Sequence, residues 1–91
     1  MQMNIDHDEK NQQFIAIQDH QNCGLHYRKI NDTTLDYYST YVPNALRGKG
    51  IAALITQYAL DYAKDNHYKI IPSCSYVRQY INDHPEYQDL I

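Results

Sequence analysis

From Gln13 onward apolar and polar residues alternate at a period of two, the spacing of half-buried strands. Phe14 and Ala16 oppose Ile15 and Ile17, and a polar turn follows at Asp19 to Asn22. A second run, Gly24 to Ile30, sets Leu25 and Tyr27 against His26, Arg28 and Ile30, with the next turn at Asn31, Asp32 and Thr33. In a third run, Leu35 to Val42, Tyr37, Ser39 and Tyr41 alternate with Tyr38, Thr40 and Val42. Three strands joined by short turns predict an antiparallel meander. Residues 1–11 are polar and read as a lead-in with a short edge strand around Asn4 to Asp6, ahead of a single domain over 12–91.

Between Gly50 and Asn66 the period lengthens to about 3.6 residues, and Ile51, Leu54, Ile55, Tyr58, Ala59, Tyr62 and Ala63 draw one apolar stripe. Asp61, Lys64 and Asp65 face away, and Asn66 is a natural C-cap. A helix of this length, roughly 25 Å, crosses one face of a sheet. A fourth strand follows at Tyr68 to Ile71, so the order strand, helix, strand predicts a right-handed crossover that lays it parallel to the third run. Pro72 ends that strand because it has no N–H for the ladder. A second, shorter helix from about Ser73 to Asn82 turns Tyr76, Val77, Tyr80 and Ile81 inward. The fold class is α+β.

Composition narrows the function classes. The chain has 91 residues, enough for one domain near the lower end of what buries its own core. Ten tyrosines carry much of the apolar content, and their rings must pack while their hydroxyls reach water or a partner. Net charge is −3 and the basic residues are scattered except around Arg47 and Lys49, which argues against a nucleic-acid partner. No apolar run suits a membrane span or a signal peptide, so a cytosolic protein is expected. Cys23 and Cys74 show no C-x-x-C pairing, and the five histidines have no metal-ligand spacing, which predicts neither a disulfide framework nor a metal site.

The chemistry concentrates in Tyr-Val-Pro-Asn-Ala-Leu-Arg-Gly-Lys-Gly-Ile-Ala, residues Tyr41 to Ala52. An extended segment ends at Pro43, a loop carries Arg47, Gly48, Lys49 and Gly50, and a helical pattern opens at Ile51. Glycine lets main chain approach an anion, the first amides of a helix lack internal partners, and the helix dipole adds about half a positive charge there. Arg47 and Lys49 add two full charges. A turn in which glycine only relieves strain would explain one glycine, but not two flanked by cations in a chain with three in all.

Arg47-x-x-Gly50-x-Ala52 fits Q/R-x-x-G-x-G/A and resembles the pyrophosphate loop of the GNAT superfamily of acyl-CoA N-acyltransferases. With Thr40-Tyr-Val-Pro43, Pro72-Ser-Cys-Ser-Tyr-Val77 and His84-Pro-Glu-Tyr87, the chain looks like the small single-domain members, over about Phe14 to the C-terminus. The resemblance implies acetyl-CoA as cosubstrate, with coenzyme A held between splayed strands. Main chain at Thr40, Tyr41 and Val42 would bond the pantetheine, one amide would lie near the thioester oxygen, and Arg47, Gly48, Lys49, Gly50, Ile51 and Ala52 would hold the pyrophosphate. Larger members carry an Asn and, seven positions on, a Tyr that protonates the leaving thiolate; here Ser73 and Tyr80 take those places. Cys74 resembles a thiol proposed in the small members to hold the acetyl group or to line its pocket, and the helix it opens would lower its pKa. Tyr80 and Cys74 have plain alternatives as core packing and as a small buried hydrophobe.

Relatives often show a His before Thr-x-Val-Pro, where this chain has Ser39, leaving His26 and Asp36 on the strands or a water relay as bases. The helices and final strand pair that wall the acceptor site in larger members are missing, so the acceptor side should be open. The resemblance implies acetyl transfer to a primary amine of a protein, peptide or small molecule; the alternative is a non-catalytic acyl-CoA-binding module. A monomer or weak homodimer is expected. Gly48-x-Gly50-x-x-Ala53 also fits a dinucleotide fingerprint, but that motif should follow the first strand of a parallel sheet, and an acidic residue should end the next strand.

Overall fold

Asp19 and His20 both adopt positive φ (51° and 64°), and a two-residue turn of that kind matches the twist of the strands it joins. It connects β2 (Gln13–Gln18) to β3 (Gln21–Asn31) with Gln18 opposite Gln21. The computed structural model describes residues 4–91, so residues 1–3 of the expected lead-in lie outside the described residues. β1 (Ile5–Asp8) pairs antiparallel with β2, starting one residue and ending two residues later than the expected edge strand. β4 (Thr34–Tyr41) pairs antiparallel with β3, and β5 (Lys69–Ile71) lies parallel to β4. The sheet order is β1-β2-β3-β4-β5, an α+β arrangement in which β5 is parallel to β4 as expected.

The crossover helix, α1 (Ile51–Asp65), packs on β2, β3 and β5. Phe14, Ala16, Leu25, Tyr27, Leu35 and Tyr37 meet Ile51, Ile55, Ala59 and Ala63 in one buried cluster. Tyr37 is fully buried, and its hydroxyl donates to the Ala59 carbonyl at 2.6 Å, which satisfies the one polar atom of a ring placed at the centre of the core. At the other end of α1, Tyr68 N–H bonds Ala63 O (2.8 Å) and His67 N–H bonds Lys64 O (3.3 Å). With His67 at φ 62°, this is a Schellman stop around the C-cap Asn66.

The buried stripe of α1 is rotated from the sequence pattern, with Leu54 and Tyr62 only partly buried. Thr56 and Leu60 are fully buried, while Tyr58 is 42% exposed. The reason lies in the C-terminal segment: α2 (Ser75–Asp83) and a 3-10 segment, Pro85–Leu90, pack beside α1, so the helix faces two neighbours rather than one. Val77, Ile81, Tyr87 and Leu90 complete that side, and Tyr87 donates to Asp61 Oδ1 at 2.6 Å. Val77 and Ile81 point inward as expected; Tyr76 stays 40% exposed.

Strict alternation along Leu35 to Val42 also gives way. His26 pairs with Ser39 and Tyr27 with Tyr37, so Tyr38 is an extra residue, a β-bulge that reverses the phase of the strand. Leu35 and Tyr37 face the core, but beyond the bulge Val42 is buried and Tyr41 is 54% exposed. On the opposite sheet face the Arg28 guanidinium sits 4.8 Å over the Tyr38 ring, and Ile17 is 66% exposed.

Candidate functional site

Strands β4 and β5 run together only where Thr34, Leu35 and Asp36 face Lys69, Ile70 and Ile71. Then Pro72 interrupts the ladder and a tight turn, Ser73 N–H to Ile71 O at 3.0 Å, swings the chain off the sheet. One more main-chain bond joins the two sides, from Cys74 N–H to Tyr37 O at 3.0 Å. β4 continues to Tyr41 with no strand on that edge among the described residues, so β4 and the start of α2 form the walls of a wedge.

The wedge opens into a cleft of about 450 Å³. Thr40 and Val42 of β4 form one wall and Tyr76 of α2 contributes to another. Ile51, Ala52 and Ala53, the first turn of α1, form the floor, and Leu46, Arg47, Gly48 and Gly50 form the mouth. The loop is braced from within. A 3-10 turn, Asn44–Leu46, buries Leu46, and Arg47 Nε donates to Val42 O at 3.1 Å, leaving the terminal guanidinium nitrogens for an anion.

Gly48 and Gly50 adopt φ 82° and 80°, in the left-handed region that costs other residues energy. A side chain at either would meet nothing within 4 Å. The glycines therefore serve backbone direction and leave open space in front of the main chain. Gly50 is the N-cap of α1 and its carbonyl accepts Leu54 N–H at 3.1 Å, so the N–H groups of Ile51, Ala52 and Ala53 have no acceptor inside the helix. No side chain caps this end and the first turn holds no acidic residue. The positive end of a 15-residue helix is thus left to an external anion.

Of the residues the sequence singles out, Thr40, Val42, Arg47, Gly48, Gly50, Ile51 and Ala52 come together around the cleft. Lys49 is exposed beside it, and the exposed ring of Tyr41 leaves the cleft to its neighbours. Cys74, the N-cap of α2, sits at the apex, its Sγ 3.5 Å from Thr40 Oγ1. Burial pushes this thiol up, but the Thr40 hydroxyl and the nearby amides of Val77, Tyr76 and Thr40 outweigh it and hold the pKa below the ordinary thiol value. The first-turn amides sit close to Sγ without closing a capping bond.

Tyr80 lies elsewhere. Its ring stacks on His84 at 3.8 Å, 6.2 Å from Tyr87, and burial followed by Tyr76, Glu86 and Asp61 raises its pKa. Tyr76, one helical turn earlier, is the tyrosine that lines the cleft, and burial raises its pKa as well. Counting seven positions on from Ser73 lands on Tyr80 and passes over Tyr76. Asp36 and His26 also stand outside the cleft lining. Asp36 Oδ1 is buried without a hydrogen-bond partner, opposite Arg28 in the β3–β4 register.

Comparison with known proteins agrees with this geometry. Protein NATD1 of Xenopus tropicalis is 31% identical over 83 residues, covering 89% of this chain and 76% of the relative. Protein NATD1 of Danio rerio is 31% identical over 93 residues, covering 98% and 84%. A GCN5-like protein from Staphylococcus aureus, solved by NMR, superposes with a TM-score of 0.75 at 26% identity, over 96% of this chain and 85% of that one. Residues 13–90 match the GCN5-related N-acetyl-transferase family, and the chain belongs to it.

Proposed function

We propose that this protein is a cytosolic acetyl-CoA-dependent N-acetyltransferase that transfers acetyl to a primary amine by direct attack on the thioester. The observation that carries the reading is the continuity of the cleft from an uncapped helix N-terminus, flanked by Gly48 and Gly50, to the unpaired edge of β4. Arg47 and the amides of Ile51 and Ala52 would bind the diphosphate, with exposed Lys49 beside them. Main chain from Thr40 to Val42 would receive the pantetheine and place one amide at the thioester oxygen. An amide so placed is worth about 10²- to 10³-fold in rate.

In the transfer the amine nitrogen bonds the carbonyl carbon, the carbon–sulfur bond breaks, and the departing thiolate takes a proton. Among the described residues no carboxylate or imidazole lines the cleft. Deprotonating a lysine at pH 7 costs about 4.6 kcal/mol and an α-amine about 1.1, so this site favours the more acidic amine, with proximity as the main rate contribution. Tyr76, which lines the cleft while Tyr80 does not, would return the proton to sulfur. In the covalent variant Cys74 thiolate would attack the carbonyl carbon first and release coenzyme A as its thiolate, and the amine would then take the acetyl group and free the Cys74 thiolate.

The same lack of a side-chain base favours a second reading, a non-catalytic acyl-CoA-binding module. Both readings require coenzyme A to bind. Incubation with acetyl-CoA and a panel of amines, followed by free thiol and acetylated mass, separates them. Thiol release that depends on the amine, faster for peptide α-amines than for lysine side chains, is expected. Binding without release would leave the module, and no binding would sink both.

A further inference from the structure

Ile5 and His7 are the two side chains that β1 turns toward the core. The His7 ring stacks on Phe14 at 4.3 Å, meets Tyr62 edge to face at 4.4 Å, and sets Nε2 2.6 Å from the Tyr27 hydroxyl. An imidazole is thereby clasped by β2, β3 and α1 together, and none of these four residues lines the cleft. We infer that His7 is a proton-operated catch for the edge of the sheet: neutral, it holds β1 in place, and protonated, it lets β1 go. Release leaves the outer edge of β2 unpaired, a template on which another strand can pair.

The geometry makes the two charge states unequal. On a neutral ring Nε2 can accept the Tyr27 hydroxyl proton; on a charged ring it can only donate, and Tyr27 must turn its own proton away among buried rings. Tyr27 does not ionise to take up the new charge, because burial followed by Tyr62, Glu9, Tyr68 and Asp8 pushes its pKa up to about 12. From α1 the titratable neighbour is Tyr62, with Tyr68 stacked on it at 6.0 Å, and β2 presents uncharged Phe14. Glu9 and Asp8, beside His7 in the chain, favour the charged ring, but burial outweighs them and lowers the His7 pKa. The folded form thus binds fewer protons than the unfolded one. Docking of β1 is complete above the ordinary histidine value of about 6.5 and is lost as pH falls through the lower value of His7 in the folded chain.

Nuclear magnetic resonance of the full chain, from about pH 8 to about pH 5 where histidine charges, reads the catch directly. The His7 ring protons should titrate below the ordinary histidine midpoint. The amides of Asp6 and of its ladder partner Ile15 should leave their strand positions at that same midpoint, while the Tyr37 amide in β4 stays fixed. His7→Phe keeps a ring against Phe14 and Tyr62 with nothing to protonate, so β1 should stay docked throughout. Tyr27→Phe removes the hydroxyl whose proton conflicts with a charged ring and should move the His7 midpoint up, a result that does not depend on the first variant folding. A His7 that charges with β1 still docked, a Tyr37 amide that moves with Asp6, release that persists in His7→Phe, or an unmoved midpoint in Tyr27→Phe would overturn the inference.

Discussion

Replacing Gly50 by alanine separates what the backbone needs from what the ligand needs. Gly50 holds φ 80° and ψ 10° and would carry a Cβ into open space, so steric clash contributes nothing. The left-handed conformation costs an alanine about 1–2 kcal/mol. Against this, alanine removes freedom from the unfolded chain and stabilises by about 0.4–1 kcal/mol. The net loss is about 1 kcal/mol, a fall in Tm of about 4–8 °C for a domain of this size. If alanine instead relaxes to negative φ, the amides of Ile51 and Ala52 rotate away from the mouth, and affinity for coenzyme A should drop by about tenfold or more, about 1.4 kcal/mol. Asparagine tolerates the left-handed region better, so Gly50→Asn should recover part of the stability and, where the open space in front of the main chain is used by the diphosphate, little of the affinity. Thermal unfolding and calorimetry on the same samples read the two effects apart. A Tm that rises in Gly50→Ala, with coenzyme A bound as in the parent, would refute the argument.

Further outcomes follow from other sites. Iodoacetamide should label Cys74 with a half-maximal pH below that of an ordinary thiol and leave Cys23, buried and with its pKa raised by that burial, unlabelled until the chain unfolds; equal labelling by peptide mass would contradict the placement of both. Tyr37→Phe removes the bond to Ala59 O and should cost about 1 kcal/mol in urea unfolding, and an unchanged midpoint would mean that the buried hydroxyl contributes nothing. In the amine-dependent assay Tyr76→Phe should slow acetyl transfer while Tyr80→Phe leaves it close to the parent, and the reverse order would return the proton-donor role to the residue packed on His84.

The sequence carries the mouth of the cleft plainly, because a phosphate loop is written in residue types: glycine where φ must be positive, cations beside it, and an apolar helical period that begins at Ile51. It carries the meander for the same reason, since Phe14, Ala16, Leu25 and Tyr27 keep a strict alternation. Partner-dependent features are not written this way. Thr56 reads as a polar residue on the helix flank, yet it is fully buried in a helix that packs on both the sheet and the C-terminal segment. Tyr76 and Tyr80 are equivalent in the helical pattern. Which of them reaches the cleft depends on where α2 starts, and that is set by the tight turn after Ile71 and the Cys74 bond to Tyr37, a contact across 37 residues of chain.

The bulge at Tyr38 matters most among the features the alternation conceals, because it decides which side chains a ligand meets. Without the extra residue, the core-side phase of Leu35 and Tyr37 would continue through Ser39 to Tyr41, and the Tyr41 ring would stand where Val42 now lines the cleft. Thr40 would turn away from Cys74, and their contact at the apex would be lost. The bulge thus exchanges a large ring for small walls at the place where strands separate. Tyr38 itself is held on the far face beneath Arg28, so the displaced side chain has a partner there. One inserted residue, stabilised on the side away from the cleft, therefore keeps the tyrosine-rich strand from closing its own binding site.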